Sequence, residues 1–260
     1  MAASKSWCDK LASVPTVGFR MLPHYASGDA IIDGLSPVLN RMAGIEKPSF
    51  QVVQQTSFDF QFQADNGFHY AIEPTKAVVS FRHRMKAKPT SGGPPIMEMM
   101  SSPLPYTALL QEAASRLVEA APLLPGRKGA RVLQRVGIMS VTTVDKEEAP
   151  PGIVRFIDYV GRPWRTSPEF FEITVASELG ATGKGWKDRC IHTLKKSEEA
   201  ESLLTIQLDW QREYEAEKAL TEDVLRPLLV NCSGDALKYF EDVAEGSRFD
   251  EELISETAGV

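Results

Sequence analysis

Two hydrophobic periods alternate along this chain, and the order in which they change is written twice. Residues 16–22 (TVGFRML) form a short apolar run that predicts a first strand. Gly28 and Asp29 then open a helical pattern in which Ile31, Ile32, Leu35, Val38, Leu39 and Met42 recur at helical spacing. From residue 50 the period becomes two. Phe58, Phe60 and Phe62 alternate with Asp59, Gln61 and Gln63, and after Asn66-Gly67 the alternation resumes in Phe68, Tyr70 and Ile72. Asn-Gly tolerates the positive φ angles of a tight hairpin, so a β-hairpin is predicted here. A third strand is expected over 77–85 (AVVSFRHRM). Residues 88–105 contain five prolines and two glycines and read as a mobile connection, with Met97, Met99 and Met100 tucked onto the core. An amphipathic helix is predicted over 106–124, with Leu109, Leu110, Ala113 and Leu117 on one stripe, ended by Pro125-Gly126.

The second round opens on residues 131–145 (RVLQRVGIMSVTTVD), β-branched and long enough to cross a whole sheet. A helix over 153–160 follows, then strands over 170–176, 188–196 and 203–214, the last with Leu204, Ile206, Leu208 and Trp210 on one face. A final helix over 221–244 is expected to kink or divide at Pro227, with Ser233 capping the second piece. The pattern predicts an α+β fold: a duplicated strand, helix, three strands, helix unit forming antiparallel sheet with the helices packed on one face. The halves are residues 1–124 and 125–245, and 246–260 is an acidic tail expected to fray.

Three segments carry a resemblance. LLTIQLDWQREYEAE (203–217), ALKYFEDVA (236–244) and RVLQRVGIMSVTTVD (131–145) resemble a patchily distributed bacterial family of uncharacterised α+β proteins of about this length. The resemblance supplies no activity and no catalytic residues. Patchy distribution implies horizontal transfer, as with defence and toxin–antitoxin genes. The duplicated order also resembles the fold of the TATA-binding protein, in which two halves share one sheet with helices on one side. A pair of ferredoxin-like units is the competing layout, but three consecutive strands after each first helix fit the shared sheet better. These likenesses concern fold, not function.

Composition is that of a folded globular chain, 43% hydrophobic and 25% charged. Apolar stretches are broken by charge or proline well before the roughly 20 residues a membrane span needs, and residues 1–10 lack an apolar signal core. A cytoplasmic protein with no membrane contact is expected. Cys8, Cys190 and Cys232 are odd in number and show no CxxC spacing, which argues for reduced, mostly buried thiols. The net charge of -6 hides an asymmetry. Residues 1–140 carry 15 Lys and Arg against 10 Asp and Glu, and 141–260 carry 14 against 25, so the halves are +5 and -11. Such a split suits a basic binding face on one half or attraction between halves or partners.

Candidate chemistry is sparse. Gly180 to Trp186 (GATGKGW) approaches a phosphate loop, but Gly185 is followed by Trp186-Lys187 and then a strand, where a phosphate loop needs Lys-Ser/Thr at a helix start. Its functional reading has Lys184, Lys187 and Arg189 contacting phosphates. His83 lies between Arg82 and Arg84, where neighbouring cations disfavour its charged form and make it a conceivable base. The run Arg82, Arg84, Lys86 and Lys88 is the main candidate for a nucleic acid or acidic partner. There is no nucleophile elbow, no zinc helix and no dinucleotide fingerprint, so no catalytic residue, metal or cofactor is predicted. The expected function is a non-catalytic binding or assembly protein acting on a protein partner in a bacterial defence system, antiviral, CRISPR-associated or toxin-neutralising. The alternatives are a nucleic-acid-binding subunit of a defence ribonucleoprotein and an enzyme with a site between the halves.

Overall fold

Strand β1 (Val14–Met21) lies at the middle of a nine-stranded antiparallel sheet that runs through both halves of the chain. The computed structural model describes residues 6–22, 50–55, 60–64, 66–73, 75–83, 85–90, 93–99, 104–121, 131–161, 170–179, 185–196 and 203–249. A short helix α1 (Trp7–Lys10) precedes β1, and a meander of β2 (Phe50–Gln55), β3 (Phe60–Ala64), β4 (Phe68–Glu73) and β5 (Lys76–Phe81) follows it. Next come a hairpin of β6 (Met85–Thr90) and β7 (Gly93–Met99) and helix α2 (Tyr106–Ala120). The second half runs β8 (Val132–Asp145), α3 (Pro151–Gly161), β9 (Phe171–Leu179), β10 (Trp186–Lys196), β11 (Leu203–Ala219) and α4 (Glu222–Glu245). The sheet order is β2-β3-β4-β5-β1-β8-β11-β10-β9, with β6 and β7 apart as a two-stranded sheet. In each half the last strand of the meander lies against the first strand of that half, and β1 pairs with β8 at the centre with Gly18 opposite Gly137.

The fold is α+β, as the periodicity predicts. Alternation decides which side is buried: Pro15, Val17, Phe19 and Met21 of β1 point one way, together with Ile138 of β8 and Trp210 of β11. Helix α2 packs on β1 and β5, and α4 packs on β8 and β11, both on this face. Helix α3 lies on α4, and α1 sits against α2 and α4. Gly152 of α3 is what allows that approach, because a Cβ there would run into the backbone of Val243 and Gly246. The predicted Asn-Gly hairpin is present. Gly67 has φ +95 and the Phe68 N–H donates to Asn66 Oδ1 at 3.2 Å, while Phe60 and Phe62 stack at 6.3 Å in the core.

Several expectations are corrected. The halves are not copies element for element: the first meander has four strands against three in the second, and β6–β7 is extra. The third strand ends at Phe81 rather than 85. Residues 88–105 are not one open connection, since Met85 to Met99 form the β6–β7 hairpin and place Met97 in register with Ala87. Pro94 and Pro95 lie at the register shift between the Lys88–Ile96 and Thr90–Gly93 pairs, an interruption of the ladder of the kind that accommodates proline. Helix α4 is continuous through Pro227, and Ser233 is buried within it rather than capping a second piece. Residues 246–249 turn back onto the protein: Gly246 takes the left-handed cap conformation at φ +88, Arg248 lies over Tyr239, and Phe249 stacks on Phe156. The helix expected over 28–42 lies outside the described residues.

Candidate interaction face and its central trough

The opposite face of the sheet carries no described helix, and cross-strand registers lay its side chains out in rows. One row reads Glu73, Lys76, Arg20, Arg135, Glu213 and Lys187 across β4, β5, β1, β8, β11 and β10. The next reads Ala71, Val78, Gly18, Gly137, Gln211 and Arg189. A third reads His69, Ser80, Thr16, Met139, Asp209 and Ile191. The paired glycines leave a trough of about 170 Å³ over the central strands, lined by Thr16, Gly18, Arg20, Lys76, Val78, Arg135, Gly137, Met139, Asp209 and Gln211. The two glycines differ in room. A Cβ on Gly18 would meet Val78 Cγ2 at 3.0 Å, whereas one on Gly137 would find nothing nearer than Gln211 Cγ at 3.9 Å.

Polar side chains in the trough are tied into a line. Arg135 Nη1 donates to Gln211 Oε1 at 2.8 Å, and Gln211 Nε2 donates to Asp209 Oδ2 at 2.6 Å. Burial raises the Asp209 pKa, with the Gln211 hydrogen bond and the charges of Arg135 and Arg189 opposing that rise. Four cations of the face are matched by acids: Lys76 with Glu73 at 2.8 Å, Arg135 with Glu213 at 3.7 Å, Lys187 with Glu215 at 3.8 Å and Lys195 with Glu172 at 3.8 Å. Arg189 is in register with Glu178. Arg20, at the centre, has no ion-pair partner among the described residues.

The residues singled out from sequence fall in two places. Lys187 and Arg189 stand exposed on β10, on the open face, while Lys184 lies outside the described residues. Arg82, Arg84, Lys86 and Lys88 do not share one strand, because β5 stops at Phe81 and β6 begins at Met85. Arg82 and Lys88 are exposed; Arg84 and the Lys86 side chain lie outside the described residues. The His83 ring meets the edge of Phe81 at 5.3 Å, and neither ring nitrogen has a hydrogen-bond partner among the described residues.

The helix-covered face holds two polar clusters that the sequence reading missed. Arg212 of β11 is buried at 8% exposure, donates to both carboxylate oxygens of Asp188 at 2.7 Å and to Asp235 of α4 at 2.9 Å, and lies over Trp186 and Trp210. His192 Nε2 and Tyr239 Oη are 2.6 Å apart, and burial lowers the His192 pKa to about 4. Cys190, on the same strand face, is fully buried with its thiol pushed up to about 12, mainly by desolvation. A thiol held protonated in this way is not a nucleophile at neutral pH. All three cysteines are free and buried. Among the described residues no group of His, Cys, Asp or Glu is placed to hold a metal ion, and no helix is long and apolar enough to cross a membrane.

Fold and site together define an α+β protein with one wide antiparallel sheet, helices on one face and a polar, troughed face opposite. No protein-family model matches the chain, and no curated protein matches it.

Proposed function

We propose that this chain is a non-catalytic binding protein that holds a protein partner against the face of its sheet that carries no described helix. The supporting observation is the charge arrangement of that face. Four of its cations, Lys76, Arg135, Lys187 and Lys195, are paired with acids, so the face is close to neutral and patterned at side-chain spacing. A patterned neutral face suits the polar surface of another protein, where complementary charges fix register and specificity. A nucleic-acid backbone calls instead for an excess of unpaired Lys and Arg, because its affinity comes largely from counterion release. A role in a defence or toxin-neutralising operon rests on the family resemblance alone.

Position-specific photocrosslinking tests this reading. A photoreactive residue at Gln207, on the open face of β11, is expected to give a discrete protein adduct in cells where the gene is native, while one at Lys238, exposed on α4, gives none. Adducts from Lys238 alone, or a nucleic-acid adduct from Gln207, would reject it.

A further inference from the structure

We propose that Lys76, Arg20 and Arg135 form an anchor for a carboxylate carried by an acidic segment of the protein partner, seated over the Gly18–Gly137 floor. The proposal rests on the open face being the protein-binding surface. These cations are direct cross-strand neighbours on three adjacent strands, β5, β1 and β8. At the usual strand spacing the row spans about 10 Å. Like charges placed directly opposite are destabilising, and acids compensate only the two ends of the row. Lys76 has Glu73 at 2.8 Å, and Arg135 has Glu213 at 3.7 Å. Arg20, between two cations, is the charge left over.

The surroundings select the ligand. The trough is about 170 Å³, room for a side chain rather than for a nucleotide base and sugar. The free space lies on the Gly137 side, where the Cβ position is open, so a ligand atom can approach the β8 backbone there. Arg135 is held in orientation by the Gln211–Asp209 line, which leaves part of its guanidinium fork for a bidentate contact. Glu73 and Glu213 pair the outer cations of the row, and a partner carboxylate placed at Arg20 meets the one cation of the three that has no ion-pair partner among the described residues.

The probe is a capped hexaglutamate peptide titrated into ¹⁵N-labelled full-length protein, with the Gly18 and Gly137 amide signals followed. Saturable shifts of both signals are expected, with affinity falling about tenfold in Arg20→Gln, the loss of one charge-assisted contact. A capped hexalysine peptide should leave both signals in place. The anchor is rejected if hexaglutamate moves neither signal, if Arg20→Gln binds it as well as wild type, or if inorganic phosphate or a dT12 oligonucleotide moves the same signals at lower concentration. Failure of the anchor is distinguishable from failure of the binding face. An undiminished Gln207 protein adduct in Arg20→Gln rejects the carboxylate anchor and leaves the face standing; no adduct in wild type rejects the face itself.

Discussion

Replacing Arg212 with methionine is expected to destabilise the protein by about 4 kcal/mol, read as a lower urea midpoint at unchanged slope. Arg212 is the hub of three elements: it pairs with Asp188 of β10 through two 2.7 Å hydrogen bonds and with Asp235 of α4 at 2.9 Å. Its side chain is 10% exposed and that of Asp188 15%, so removing the cation leaves a carboxylate largely out of water with nothing to balance it. That penalty, more than the lost Coulomb attraction, sets the size of the effect. Arg212→Met combined with Asp188→Leu should therefore recover a good part of the loss, because no orphaned charge remains. A single-variant cost under about 1 kcal/mol would mean that the pair is solvated and ties nothing together.

Acidification should expose the second large effect. His192 has its pKa lowered from 6.5 to about 4 by burial beside Tyr239. The neutral imidazole is the form the folded state prefers, so the unfolded chain takes up a proton at higher pH than the folded one does. The stabilisation is complete above pH 6.5, declines as pH falls below that value, and is gone near pH 4, a total of about 3 kcal/mol. Carboxylates add their own slopes in the same range, so the comparison with His192→Gln isolates this one. The variant should lose less stability than wild type between pH 7 and 4, by about that amount. Parallel pH profiles would show that His192 is not held neutral.

Much of this was legible because strict alternation needs no knowledge of tertiary context. The Phe60–Phe62 strand, the Asn66-Gly67 turn, the long β8 and the Leu204-to-Trp210 stripe all lie where period and turn chemistry put them. What alternation alone did not reveal was how the strands assemble. Joining β1 to β8 brings Gly18 and Gly137 face to face from 119 positions apart, and neither glycine sits in a motif that predicts a trough. The strand expected over 77–85 overruns β5 because the alternation of Arg82, Arg84, Lys86 and Lys88 continues through the break between β5 and β6. Arg212 did carry a signal. It occupies the inward phase of β11, two residues after Trp210, and a charge at an inward position calls for buried partners. The cap on α2 had none: Pro105 offers no side-chain acceptor, and the Thr107 N–H is met instead at 3.1 Å by Asp9 of α1, 98 positions earlier in the sequence.

Filling the trough tests the central claim most directly. Gly137→Leu projects a side chain into space where the nearest heavy atom to its Cβ is 3.9 Å away, and it replaces a strand glycine, so stability should hold or rise by up to about 1 kcal/mol. Titration calorimetry of wild type and Gly137→Leu with the protein crosslinked from Gln207 is the measurement. A loss of affinity of about tenfold or more in a variant that melts no lower than wild type is the predicted result. Equal affinities for the two proteins would contradict it and place the interface elsewhere.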